Sequence, residues 1–430
     1  MTIRLLIGTA LLVAAAAAAA GCGGEGRVEP SNSHAPPTAA QALVLKEVAS
    51  PAGPDSREPE LTVSAGGRVI LSWVEKVGDK RYALRFAALD EGGAWGEPRV
   101  VAEGENWFVN WADFPSVIEL SDGSLAAHWL VRSGPGTYAY DVNVSRSSDG
   151  GKTWGSAVVP HTDGTQTEHG FVSLIPLADG RLGAVWVDGR ETKDLKGGHE
   201  EEEAPLPANM QLRYAAIDAD GKLSDEAVLD GRVCECCQTS AALTSEGPLV
   251  AYRDRSESEV RDIYFVRRQQ GAWSGPRAVH ADDWRIQGCP VNGPSVAADG
   301  RRAALAWYTE EGDSPSVKVA FSLDAGASFG APVRVDDGDA MGRVDVVLLA
   351  DGSALVCWMA GGAEGGANKV RRVSADGSLG PVAVIARTDA SRASGFPRMA
   401  RAGGTVHFAW TQFGKPSQVK TATADVSAFK

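Results

Sequence analysis

The sequence predicts an all-β fold: a β-propeller of seven blades, each of four antiparallel strands, closed by the N-terminal strand completing the last blade. Three observations predict it. A small turn followed by alternating apolar residues and an aromatic recurs seven times along the chain. The segments between the copies alternate apolar and polar residues between Gly and Asp turns. No 3.6-residue apolar stripe follows residue 22, and 50 glycines in 430 residues suit a turn-rich chain.

Taken in order, Met1 to Arg4 carries one basic residue, Leu5 to Ala20 is an apolar run, and Ala19-Ala20-Gly21-Cys22 ends it. Residues 1–22 therefore read as an export leader. The last four residues resemble the bacterial lipobox, which implies that Cys22 is lipidated. The working domain is then exported and anchored by its lipid at a bacterial membrane, on the periplasmic side or at the cell surface. Residues 23–41, rich in Gly, Pro, Ser and Ala, read as a flexible tether, and residues 42–430 as the propeller.

The repeats are Gly67–Trp73, Gly123–Trp129, Gly180–Trp186, Gly247–Tyr252, Gly300–Trp307, Gly352–Trp358 and Gly404–Trp410, with aromatics spaced 56, 57, 66, 55, 51 and 52 residues apart. In each copy an inner strand turns into the strand that carries the aromatic. A loop, a third strand, a Gly/Asp turn and a fourth strand follow. The seventh copy stops after Val419–Ala424, before a fourth strand, whereas Leu43–Val48 is a fourth strand with none before it. Pairing the two closes the ring and removes two bare sheet edges.

Ser147-Ser148-Asp149-Gly150-Gly151-Lys152-Thr153-Trp154 and Ser322-Leu323-Asp324-Ala325-Gly326-Ala327-Ser328-Phe329 sit at third-to-fourth-strand turns, with a weaker copy at Ala88–Trp95. They resemble the Asp-box of sialidases and BNR-repeat propellers, and the resemblance covers the domain from about residue 42 onward. It implies Asp-boxes on the face opposite the active site. It also implies, for an exo-α-sialidase-like glycoside hydrolase, an arginine clamp on a carboxylate, a Tyr–Glu nucleophile pair and an acid. The corresponding candidates are Asp113 or Glu168 as acid/base, Tyr252 or Tyr308 as nucleophile, and Arg253, Arg343 and Arg398 as the clamp. The sequence departs from the sialidase pattern in lacking the Arg-Ile-Pro signature, for which Phe114-Pro115 and Phe396-Pro397-Arg398 are the nearest strings. It departs again in having seven repeats rather than six.

Strand order puts the fourth-to-first and second-to-third loops together on the other face. These loops hold Trp107, Trp111, Asp113, Glu168, His169, Asp188, Arg190, Arg253, Arg255, Trp284, Asn292, Arg343 and Arg398, with a long acidic run from Lys193 to Asn209. Such a face can take a glycan or another small anionic ligand, with Trp111, His169, Arg253, Arg255, Asn292, Arg343 and Arg398 as contacts. It equally suits a non-catalytic scaffold that docks a protein partner. With 42 Lys+Arg against 55 Asp+Glu, a net charge of −13 argues against nucleic acid as partner.

The cysteines admit three readings, one of them a disulfide between the adjacent Cys236 and Cys237 that forms a stiff ligand platform. In the other two, Cys234, Cys236, Cys237 and Cys289 either form disulfides in an oxidising compartment, a bond from Cys289 to Cys236 or Cys237 stapling blades four and five, or offer thiolates to Cu(I) or Zn. Cys357, mid-strand beside Trp358, reads as a buried core thiol.

Overall fold

The computed structural model describes residues 43–193, 209–362 and 365–430. The leader, Cys22, the tether and most of the acidic run from Lys193 to Asn209 lie outside the described residues. Seven sheets follow one another along the chain. Their innermost strands are Ser56–Val63, Ser116–Glu119, His169–Pro176, Ser240–Thr244, Ser295–Asp299, Ala340–Leu348 and Arg398–Ala402. All seven line one cavity of about 240 Å³ on the axis. Ring closure is as expected: Lys46, Glu47 and Val48 pair with Thr423, Ala422 and Thr421 of the final strand.

The repeated aromatics build the core. Trp73, Trp186, Trp307, Trp358 and Tyr252 are all nearly fully buried, each large side chain contributing roughly 1.5–3 kcal/mol of apolar burial. A buried indole still needs an acceptor. Trp73 and Trp186 find one two residues on, at Glu75 (3.1 Å) and Asp188 (2.7 Å), and Trp307 finds Asp282 at 2.7 Å.

The fourth strands vary. Blade two has only three strands; its fourth is reduced to one bridge between Val144 and Val158. Pro160, with no N–H, stands where the ladder would continue. In blade four the edge is split into Ala272–Trp273 and Arg277–Ala278, with Pro276 between them.

The two strong Asp-boxes are nearly superimposable hydrogen-bond systems. Asp149 Oδ1 accepts the N–H groups of Lys152 (2.9 Å) and Thr153 (3.0 Å), and Ser147 Oγ accepts that of Gly151 (2.8 Å). Asp324 Oδ1 accepts Ser328 N–H at 2.9 Å, and Ser322 Oγ accepts Gly326 N–H at 2.9 Å. The closing aromatics meet the preceding blade edge-on, Trp154 against Phe86 and Phe329 against Phe265, at 6.0 and 5.1 Å. Gly151 has φ +83°, and a Cβ there would lie 2.3 Å from Phe86, so the motif needs its glycine for both dihedral and space.

Candidate functional site

The inter-blade loops gather on the face opposite these turns, and one of them roofs the channel. Between blades one and two, Asn110 Oδ1 accepts the Ala112 N–H at 3.0 Å and folds the loop inward. Ala112 O then receives the Gln238 side chain of blade four at 2.6 Å. Trp111 stacks on Phe396 of blade seven, with centroids 5.9 Å apart and planes 21° apart. Phe171 of blade three joins the same apolar cluster. A loop from one side of the ring thus reaches across its mouth.

Arg343 of blade six lies against this roof. It is buried, and its guanidinium carbon sits 4.7 Å from the Trp111 ring centroid. Its side-chain hydrogen bonds all leave from Nη1, to Ser391 O (2.9 Å), Gly395 O (3.1 Å) and Met359 Sδ (3.1 Å), none of them a charged acceptor. Arg392 is exposed and lies 5.9 Å from the same Trp111 ring. Burial, and then the charge of Arg392, bring the Arg343 pKa down to about 10. Asn292 fixes the Arg343 backbone by accepting its N–H at 2.8 Å.

Arg398, the third member of the expected clamp, is already paired. It contacts Glu60, lies 4.0 Å from Asp345 and sits 4.2 Å over the Phe114 ring, inside the channel. Burial, opposed by Arg398, pushes the Glu60 carboxyl up to about 7. Arg253 is 1% exposed and all three of its donors serve backbone carbonyls: Asn292 (2.8 Å), Arg261 (2.6 Å) and Tyr308 (2.7 Å). It fastens blade four to blade five. Arg255 pairs with Glu259 at 2.7 Å and Glu235 at 3.6 Å. The structure thus does not bring Arg253, Arg343 and Arg398 to one point.

Asp113 and Glu168 do meet, at a residue the sequence reading passed over. Tyr140 Oη is 3.0 Å from Asp113 Oδ2 and 2.8 Å from Glu168 Oε1. One phenol has one proton to give, so the two carboxyls share the remaining demand. Burial pushes Asp113 up to about 7, against hydrogen bonds from Phe171 N–H and Tyr140. All three are buried, with Phe108 stacked on Tyr140 at 3.8 Å. Tyr252 and Tyr308 lie elsewhere: Tyr252 donates to Asp230 at 2.7 Å, and Tyr308 to Glu310.

His169 stacks on His161, centroids 3.7 Å apart and planes 7° apart, with Asp141, Asp163 and Asp188 around the pair. Burial opposes a charge on His169, but those three carboxylates overcome it and raise its pKa; burial and then His169 bring His161 down to about 4. Trp107 and Trp284 fill the rim, stacking on Trp129 at 6.2 Å and under Arg253 at 4.8 Å.

The cysteines converge, but no disulfide staples blades four and five: all five described cysteines are free. Cys289 is exposed, its Sγ directed at Glu235 Oε1 at 3.8 Å, so the expected bond to Cys236 or Cys237 is absent. Cys234 Sγ is instead 2.6 Å from Cys237 Sγ and 3.8 Å from Cys236 Sγ. Arg261 lies beside them, its Nη1 3.4 Å from Cys234 Sγ and 2.8 Å from Glu235 Oε2. Burial pushes the Cys234 thiol up to about 12. Burial acts on Cys237 too, yet hydrogen bonds from Cys234 and Cys236 and the Arg253 charge bring it well below the ordinary thiol value. Cys357 is fully buried, as expected.

Tyr140, His161, Arg261 and Arg392 complete these groups, and sequence reasoning missed all four. Tyr140 and Arg261 belong to third-strand ends rather than to the loops that drew attention. His161, following Pro160 in an inter-blade loop, was legible in kind.

No protein-family model matches the sequence, and no curated protein matches it. Solved structures do. The polysaccharide lyase Uly1 aligns with a TM-score of 0.51 at 9% identity, over 86% of this chain and 90% of that one. The phage phi92 endosialidase aligns at 0.50 and 8% identity, over 89% and 69%. The GH93 α-L-arabinofuranosidase of Fusarium graminearum, solved with arabinobiose, aligns at 0.48 and 14%, over 76% and 96%. At these identities the likeness is one of fold alone, a propeller fold like that of the polysaccharide lyase and the endosialidase.

Proposed function

We propose that this propeller binds a carboxylate-bearing saccharide on its loop face, over the roofed mouth of the channel. The observation that carries the reading is Arg343, a buried guanidinium whose hydrogen bonds go only to neutral acceptors from one nitrogen. Its Nε and Nη2 donors form the edge of the fork that suits a carboxylate. Trp111 beside it offers an aromatic platform for a sugar ring, and Arg392 adds a second positive charge. The structural neighbours whose names record action on polysaccharide or sialic-acid polymers make a saccharide the class of anion to test first. The leader-like reading of residues 1–22 supports, as part of this proposal, a site outside the cytoplasm.

The reading is binding rather than hydrolysis. The Tyr140–Asp113–Glu168 group has the residue types of a glycosidase but is buried, with Phe108 stacked on Tyr140, whereas Arg343 and Trp111 lie at the channel mouth.

Calorimetric titration with sialyllactose and tri-galacturonate, against lactose and maltotriose, tests the proposal. The acidic sugars should bind and the neutral ones should not. Arg343→Met should weaken binding about tenfold or more, the scale of a charge-assisted hydrogen bond, with an unchanged circular dichroism spectrum. Equal binding of acidic and neutral sugars, or an Arg343→Met variant that binds like the parent, would overturn it.

A further inference from the structure

The cysteine group on the rim of blades four and five stands apart from the anion reading and is not explained by it. Three sulfurs of one inter-blade loop meet there, and the next loop brings a fourth cysteine, Cys289, to the same rim. The Sγ atoms of Cys234, Cys236 and Cys237 all lie within 4.8 Å of one another. Cys289, on the neighbouring loop, lies beside this group with its Sγ 3.8 Å from Glu235 Oε1. A backbone bond from Cys234 N–H to Arg253 O at 3.0 Å, and the isolated bridge of Val233 to Asp254, tie the first loop to its own blade. Gly293 N–H donates to Gln238 Oε1 at 2.9 Å and ties the second loop, which carries Cys289, to the first. The three clustered sulfurs, and the loop that carries Cys289, are thus held by the fold rather than by bonds among the sulfurs.

From this gathering of free thiols we infer a site for one thiophilic d10 cation, Cu(I) or Zn(II), ligated by Cys234, Cys236, Cys237 and Cys289. Tetrahedral thiolate coordination at about 2.3 Å places neighbouring sulfurs about 3.8 Å apart. The Cys234–Cys236 separation of 3.8 Å already has that value, while Cys234 and Cys237 at 2.6 Å must open by about 1 Å around an ion. Each thiol loses its proton to solvent as its sulfur–metal bond forms, and no electron is transferred. Arg261 and Arg253 stand by to offset the resulting negative charge, and Arg261 with Arg255 holds Glu235 in ion pairs. Cys289 is the exposed member, which gives an incoming ion a first ligand from solvent. Among the described residues two other groups have metal-ligand residue types, Asp141–His161–His169 and Asp163–His169–Asp188; the carboxylates of the second are already paired with Arg190, and the first rests on the two histidines. Their rings lie parallel, so their lone pairs cannot converge on one ion, and the soft-ligand site is favoured.

The test uses the full chain, reduced and then freed of reductant under anaerobic conditions. It is titrated separately with Zn(II) and with Cu(I) against a chromophoric chelator, and the bound form is examined by X-ray absorption. One ion per chain with three or four sulfur neighbours is expected in at least one arm, and the arm that wins identifies the metal. Cys236→Ser should weaken retention by more than about a hundredfold, beyond what outer-shell changes cause. Cys289→Ser, an exposed change with little scope to disturb folding, should weaken it about tenfold and reduce the sulfur count by one. Failure of the reduced chain to hold either ion above the competitor would overturn the site. So would sulfur-free coordination, or retention unchanged in both variants.

Discussion

The two faces of the propeller use the same acidic side chains in opposite ways. On the Asp-box face, Asp149 and Asp324 accept backbone and hydroxyl donors of their own turns. Those bonds hold Asp149 well below the carboxylate range and, against a little burial, Asp324 at about 2. On the loop face and in the channel mouth, Glu58, Glu60 and Asp113 are buried first and paired second. Burial dominates and raises them to about 8, 7 and 7. An acid that closes a turn reports fold; an acid raised by burial under a roof of loops marks a functional-site candidate. The repeat carries the first kind, and the irregular loops carry the second.

The sharpest way to break the contrast is steric. Gly170→Ala would put a Cβ 2.1 Å from Asp113 Oδ2 and 2.7 Å from the Tyr140 ring. It should destabilise the fold by about 3 kcal/mol or more, read as a lowered denaturation midpoint in urea. If the loss is under 1 kcal/mol, the Tyr140 group is less tightly packed than the geometry requires.

The next effect is one of pH. Glu58 is raised from 4.5 to about 8 by burial, with Asp113 adding to the rise and Arg57 opposing it. A carboxyl raised in the folded state gives stability that is complete below pH 4.5 and is lost as pH climbs through about 8. Its slope is at most about 1.4 kcal/mol per pH unit. Glu58→Gln should flatten that limb, so the variant gains on the parent at pH 8. His128 acts in the opposite sense, because burial lowers it to about 3. It costs stability as pH falls below its ordinary value, and His128→Gln should protect the acid limb. Parallel unfolding curves for parent and variants between pH 4 and 8 would remove burial as the feature that separates the two faces.

Smaller effects belong to the Asp-box face. Asp324→Ala removes acceptors for Ser328 N–H and Oγ and should cost about 1–2 kcal/mol, the scale of a lost cap. Arg68→Ala, which breaks a surface pair with Glu119, should stay within about 0.5 kcal/mol. Both are read from thermal unfolding, and a larger loss for Arg68 would show that surface charge matters more here than the geometry implies.

What was legible in the sequence follows the same division. Seven aromatics at near-constant spacing, Ser147 and Asp149 two residues apart, and a spare strand at Leu43–Val48 are local signals. Each was enough to place a blade, a turn or the ring closure. The missing fourth strand of blade two was written only in Pro160. The site was less legible because its partners are distant in sequence. Arg253 is held by carbonyls of residues 261, 292 and 308, and the loop of Trp111 reaches Phe396 by stacking and Gln238 through Ala112 O. Loop position identified Arg253, Arg343 and Arg398 alike. Only the packing distinguishes the one that bolts two blades, the one paired inside the channel, and the one whose side-chain hydrogen bonds go to neutral acceptors from Nη1 alone. The cysteines were visible as a group, but their being free and clustered depends on how two blades sit side by side.

Hydrogen exchange across the propeller, with and without saturating tri-galacturonate, tests the central claim most directly. Protection confined to residues 106–114, 340–345 and 389–396, with none at 147–154 or 322–329, is the predicted result. Protection at the Asp-box turns, or no change on either face, would contradict a loop-face site at Arg343 and Trp111.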